Sequence, residues 1–154
     1  MEFLWVGKTR NPHLAALEQE YVHRLQRFVP CQIRALRAIR ERDARRLRER
    51  EGAALLGALR PGFRVVLLDE RGRMLSSPEL AAWLRAHEHG GTPGLCFLVG
   101  GAEGVAESVR ERAEECLALS RLTLPHELAR VISGRDPFTI QAILFDVGRR
   151  FGRD

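Results

Sequence analysis

The chain has 154 residues, 45% of them hydrophobic, and a formal net charge of +5 carried almost wholly by arginine, with Lys8 the single lysine. That length supplies one sizeable core, so a single domain over 1–154 is expected. No apolar run reaches the roughly 18 to 20 residues of a membrane span, and Met1–Val6 lacks the length and positive start of a signal peptide, so a soluble cytoplasmic chain without membrane contact is expected.

Met1–Val6 reads as a buried first strand ending at Gly7-Lys8. Asn11-Pro12 then opens a helix, with Asn11 as N-cap and Pro12 where its missing N–H costs nothing. Leu14, Leu17, Tyr21, Leu25 and Phe28 are its expected buried stripe. After Pro30, Cys31–Leu36 alternates like a strand with one covered face. Asp43 caps a second helix to about Leu59, with Ala44, Leu47, Ala54, Leu55 and Ala58 inward. Val65–Leu68 is a continuous apolar run, as in a central parallel strand, and Asp69-Glu70-Arg71-Gly72 is expected to turn the chain. Ser77-Pro78, with Glu79 behind it, starts a third helix that Leu80, Trp83, Leu84 and His87 continue.

Past the Gly90–Gly94 loop, Leu95–Val99 is a second fully apolar strand. Val105–Glu115 reads as a helix, Cys116–Leu119 as a short strand, and Glu127–Ile132 as a helix. Asp136-Pro137 opens a last helix, with Ile140, Ile143, Leu144, Val147 and Phe151 as its stripe. Alternating strands and helices of this kind predict an α/β fold, a mostly parallel sheet with helices on both faces.

In such a sheet, ligands bind beyond the carboxyl ends of the strands. Gly100-Gly101-Ala102-Glu103-Gly104 follows a buried strand and precedes a helix, so its bare backbone either admits a ligand or serves only a tight turn. Ser120–His126 mixes apolar residues with hydroxyls, which suits a pocket wall or a core-facing loop. The spacing is neither a dinucleotide fingerprint nor a P-loop, and no G-x-S-x-G elbow is present, which excludes nucleotide hydrolysis and acyl transfer. His126 after Pro125 is read as a structural cap before a general base. Cys31, Cys96 and Cys116 have no CxxC spacing and are expected as core thiols, with no metal site. The arginines from Arg34 to Arg50, partly offset by Glu41, Asp43 and Glu49, fit a solvated face or an RNA contact.

Several segments together resemble the bacterial ribosomal RNA large-subunit methyltransferase H family, a minimal branch of the SPOUT (α/β-knot) methyltransferases. They are Val6-Gly7-Lys8, Glu20-Tyr21 with Arg24-Leu25, Arg48–Gly52, Leu67-Leu68-Asp69 with Gly72, Leu75-Ser76-Ser77, Leu98–Gly104, and Leu119–His126 with Arg130. The resemblance implies S-adenosylmethionine as cofactor, held at Leu68, Gly100, Leu119, Ser120, Arg121, Leu122, Thr123 and Leu124. It implies methyl transfer to N3 of a pseudouridine, the 1915 site, in 23S rRNA of the ribosome by a homodimer. It also implies a knot, with the last helix threaded through a loop.

The family tail carries Glu-Gln, Tyr-Arg-Ala and a closing Tyr-His, whereas Ile132–Gln141 and Phe151–Asp154 here do not. Three origins of that tail stay open. They are divergence with Arg149, Arg150 and Arg153 in substitute contacts, a catalytically impaired RNA- or ribosome-binding homologue, and a reading-frame shift near codon 132. Another RNA such as tRNA is the alternative substrate. No side chain is assigned as catalytic base, since an imide N–H this acidic does not demand one.

Overall fold

A computed structural model describes residues 1–122 and 124–133. Thr123 and the expected last helix from Asp136, including Arg149, Arg150 and Arg153, lie outside the described residues, as does the threading that would tie the knot.

Five strands, β1 (Glu2–Val6), β2 (Gln32–Leu36), β3 (Phe63–Met74), β4 (Gly94–Val99) and β5 (Glu115–Ala118), form one sheet in the order β2-β1-β4-β3-β5. Every pairing is parallel, so each crossover carries a helix. Apolar strands buried on both faces need cover on both. Helices α1 (Pro12–Leu25) and α3 (Ser77–His89) contribute Val22, Leu25, Ala81 and Leu84 to the core with Phe3, Trp5, Val66 and Phe97. On the opposite face α2 (Ala44–Gly57) and α4 (Glu107–Arg112) bring Leu55 and Val109 onto Leu4, Val65, Leu67 and Leu98. A further helical stretch covers residues 126–133.

Local chemistry sets the helix starts. Asn11 accepts from the amides of His13 and Leu14 at 2.9 and 3.3 Å, and Asp43 from that of Arg46 at 2.8 Å. Ser76, one residue before the expected cap, forms a capping box with Glu79.

Three expectations need correction. The buried face of α1 is Glu18, Val22 and Leu25, while Leu17 and Phe28 are exposed. An acidic residue takes the inward position because Thr9 donates to it and Arg130 stands beside it. The helix expected over Val105–Glu115 shortens to Glu107–Arg112, and Glu115 instead starts β5. There its carboxylate accepts from Trp83 Nε1 at 2.7 Å and Arg64 at 3.2 Å.

The third correction concerns Asp69-Glu70-Arg71-Gly72, which does not end the strand. Leu68 and Arg73 both pair with Leu117, so the four residues between them bulge out and β3 resumes through Met74. Gly72 allows this return, since a Cβ there would sit 2.5 Å from the Leu117 carbonyl carbon.

Candidate cofactor cleft

The carboxyl ends of β3, β4 and β5 open onto a cleft of about 870 Å³, within the size range of small-molecule sites. Its walls come from three stretches that sequence had separated: Leu68–Arg71 after the first half of β3, Val99–Val105 after β4, and Leu119, Ser120, Leu122 and Leu124–His126 after β5. Of the residues expected at a cofactor, Leu68, Gly100, Leu119, Ser120, Leu122 and Leu124 line it together. Arg121 is exposed and outside the lining. Thr123 is not described.

The glycine loop is shaped by close approach. A Cβ on Gly100 would meet Val105 Cγ2 at 2.5 Å, and one on Gly101 would meet Glu51 Oε2 at 2.8 Å. Gly104 has φ +84°, and its amide donates to the Gly101 carbonyl at 3.1 Å, closing the turn. Helix α2 supports the loop from below: Gly52 leaves room for Ala106, and Arg48 Nη1 donates to the Glu103 carbonyl at 3.3 Å. Burial pushes the Glu51 carboxyl above its usual range, with Arg130 opposing.

Across the cleft, Asp69 Oδ2 pairs with Arg110 at 2.9 Å, both side chains largely buried, and Asp69 Oδ1 accepts from the Arg71 amide. Burial pushes the Asp69 carboxyl up, but the bond from Arg110, the Arg71 amide and the two arginine charges together hold it below the usual carboxylate range. This pair escaped sequence reasoning, which left Asp69 to a turn. The available signal was Arg110 itself, an arginine in the helix directly after the glycine loop.

The third wall is clamped at its far end. Glu127 accepts from the amides of Arg10 and Asn11 at 2.7 and 3.4 Å. Arg130, 3% exposed, donates to the Val6 carbonyl and to Thr9 Oγ1, each at 3.0 Å, with its guanidinium 4.8 Å over the Trp5 ring. Ser120 Oγ accepts from the Leu122 amide at 3.0 Å, folding the near end into a local turn. His126 lines the cleft, and burial, followed by the charges of Arg130 and Arg10, outweighs Glu127 and lowers its pKa, which favours the neutral imidazole.

Beside this cleft at the strand ends stands a match of the sequence to a known family. The model described as "Predicted SPOUT methyltransferase" matches residues 1–134. The chain belongs to the SPOUT methyltransferase family. SPOUT relatives named "Ribosomal RNA large subunit methyltransferase H" align over most of their length. The relative from Geobacter metallireducens is 42% identical over 132 residues, 86% of each chain. That from Geotalea uraniireducens is 40% identical over 131 residues, 85% of this chain and 86% of the relative. That from Trichlorobacter lovleyi is 36% identical over 143 residues, 93% and 90% respectively. The SPOUT match ends within three residues of Val131, where the tail loses the expected polar signature.

Proposed function

We propose that this SPOUT protein is an S-adenosylmethionine-dependent methyltransferase acting on N3 of a pseudouridine, the 1915 site, in 23S rRNA of the ribosome. The reading includes a cytoplasmic homodimer of single knotted domains. Among the described residues, no helix is long and apolar enough to cross a membrane. The observation that carries the proposal is the convergence of Leu68, Gly100, Leu119, Ser120, Leu122 and Leu124 on one cleft.

The residues present fit the cofactor. Gly100 and Gly101 line the cleft with backbone that carries no side chain, and Leu68, Leu119, Leu122 and Leu124 offer apolar surface suited to an adenine ring. Together with Ser120, and with Arg121 and Thr123 by family resemblance, they would hold it. The cofactor supplies a methyl group already activated on a sulfonium.

What remains for the chain is positioning and charge. The Asp69–Arg110 pair fixes one wall, the Arg130 and Glu127 contacts fix the other, and α2 braces the loop between them. A neutral His126 in the lining leaves a proton-accepting nitrogen near the site, although the imide N–H of the substrate base is acidic enough not to require one.

The tail after Val131 lacks the expected polar signature, which favours one second reading: a homologue that retains the pocket and ribosome binding but not turnover. Transfer of labelled methyl groups to methyl-deficient ribosomes separates the two. Incorporation at the pseudouridine supports the enzyme, ribosome association without incorporation supports the binder, and incorporation only into tRNA would move the substrate.

A further inference from the structure

Seven arginines crowd the stretch from Arg37 to Arg50, against the acids Glu41, Asp43 and Glu49. The structure shows how those acids are used. Glu49 pairs with Arg45 at 3.0 Å. Glu41 accepts from the amides of Arg42 and Asp43 and lies 3.7 Å from Arg50. Asp43 caps α2. Arg37, Arg40, Arg42 and Arg46 are all exposed, and no described carboxylate pairs with any of them.

Their placement matters more than their number. β2 is one of the two edge strands and runs parallel to the rest, so the segment after Leu36 leaves the sheet at the same end as the cleft. The Gly7 amide donates to the Leu36 carbonyl there, and Arg50 reaches back to the Arg40 carbonyl, tying the segment to α2. Further along α2, on its inner face, Arg48 lines the cleft and holds the glycine loop through Glu103. No exposed large apolar side chain interrupts the segment: those described are Leu17, Phe28, Met74 and Leu122.

We propose that Arg37, Arg40, Arg42 and Arg46, at the cleft end of the sheet, form the track that holds the phosphate backbone of the RNA substrate. Exposed guanidinium forks without a carboxylate partner suit phosphates. The absence of apolar anchors on the track argues against a membrane or a protein groove. These arginines stand at the end of the sheet where a methyl acceptor must arrive. The inference rests on the methyltransferase reading and assigns its RNA-contacting surface.

The test compares R42Q/R46Q with R24Q/R112Q, which removes the same charge from arginines already paired with Glu20 and Glu114. Methyl transfer to deficient ribosomes is followed at several salt concentrations. R42Q/R46Q should raise the KM for ribosomes on the order of tenfold and flatten the slope of log KM against log salt by about 1.5, the counterion release of two phosphate contacts. kcat and S-adenosylhomocysteine affinity should stay at the wild-type value, as should all parameters of R24Q/R112Q. Equal KM and slope in the two variants would overturn the track. If wild type transfers no methyl, the functional reading fails separately, and anisotropy with a labelled single-stranded RNA then decides. Selective weakening in R42Q/R46Q sustains the track, and equal binding overturns it.

Discussion

Gly104→Ala isolates one property of the cofactor loop. Gly104 has φ +84°, yet a Cβ built there meets nothing within 4 Å, so the substitution adds no clash and only penalises the left-handed backbone. For an L-residue that penalty is about 1–2 kcal/mol. Two routes can absorb it. If the loop keeps its shape, the cost appears in folding, as a fall in Tm of about 3–6 °C for a chain of this size. If the turn closed by the Gly104 amide and the Gly101 carbonyl opens instead, the cost appears in binding, where about 1.4 kcal/mol is tenfold in Kd. Thermal melts and calorimetry with S-adenosylhomocysteine should therefore give two losses that sum to about 1–2 kcal/mol. Gly104→Asn should recover part of the loss, because asparagine tolerates this region. Wild-type Tm and Kd in Gly104→Ala, or Asn worse than Ala, would refute the argument that the left-handed turn shapes the loop.

Gly72→Ala places a Cβ 2.5 Å from the Leu117 carbonyl carbon and 2.7 Å from that of Cys116, backbone that cannot swing aside. The urea midpoint should fall by the equivalent of about 1–3 kcal/mol, and cofactor affinity should fall with it because β5 leads into Leu119. Asp69 is held below the usual carboxylate range, so its contribution to stability is present above the unfolded value of about 3.9 and is lost as pH falls through the lower folded value. Urea midpoints measured down through that window should drop more steeply for wild type than for Asp69→Asn, and parallel curves would discount the Arg110 pair. Burial pushes the Cys31 thiol up to about 11 and the Cys96 thiol to about 12. At pH 8 neither should react with a disulfide reagent until the protein is unfolded, and prompt native-state labelling of both would contradict their place in the core.

The elements were legible where one physical rule acted alone. Val65–Leu68 and Leu95–Val99 are apolar on both faces and became adjacent central strands. Asn11, Asp43 and the serines before Pro78 marked helix starts to within one residue. Legibility failed where tertiary partners overrode local pattern. Glu18 lies on the inner face of α1 because Thr9 and Arg130, more than a hundred residues apart, meet it there. The turn signal at Asp69–Gly72 describes a real excursion, but β5 recaptures the strand at Arg73, and nothing within β3 itself announces that.

The cleft shows the same division. The glycines of the loop after β4 were visible as a place for close backbone approach, while its support from α2 through Arg48, Glu51 and Gly52 depends on packing. The Asp69–Arg110 pair joins residues 41 positions apart and has no sequence spacing to betray it. Family resemblance supplied what periodicity could not: that Leu68, Gly100 and Leu119 come together, as they do in the lining of one cleft.

Titration of the full chain with S-adenosylhomocysteine by isothermal calorimetry, wild type against Gly100→Val, tests that site most directly. The account predicts saturable one-site binding by wild type. It predicts loss of that binding in Gly100→Val, whose side chain would occupy space already held by Val105, with a circular dichroism spectrum like that of wild type. No binding heat from wild type, or equal affinity in a folded Gly100→Val, would contradict it.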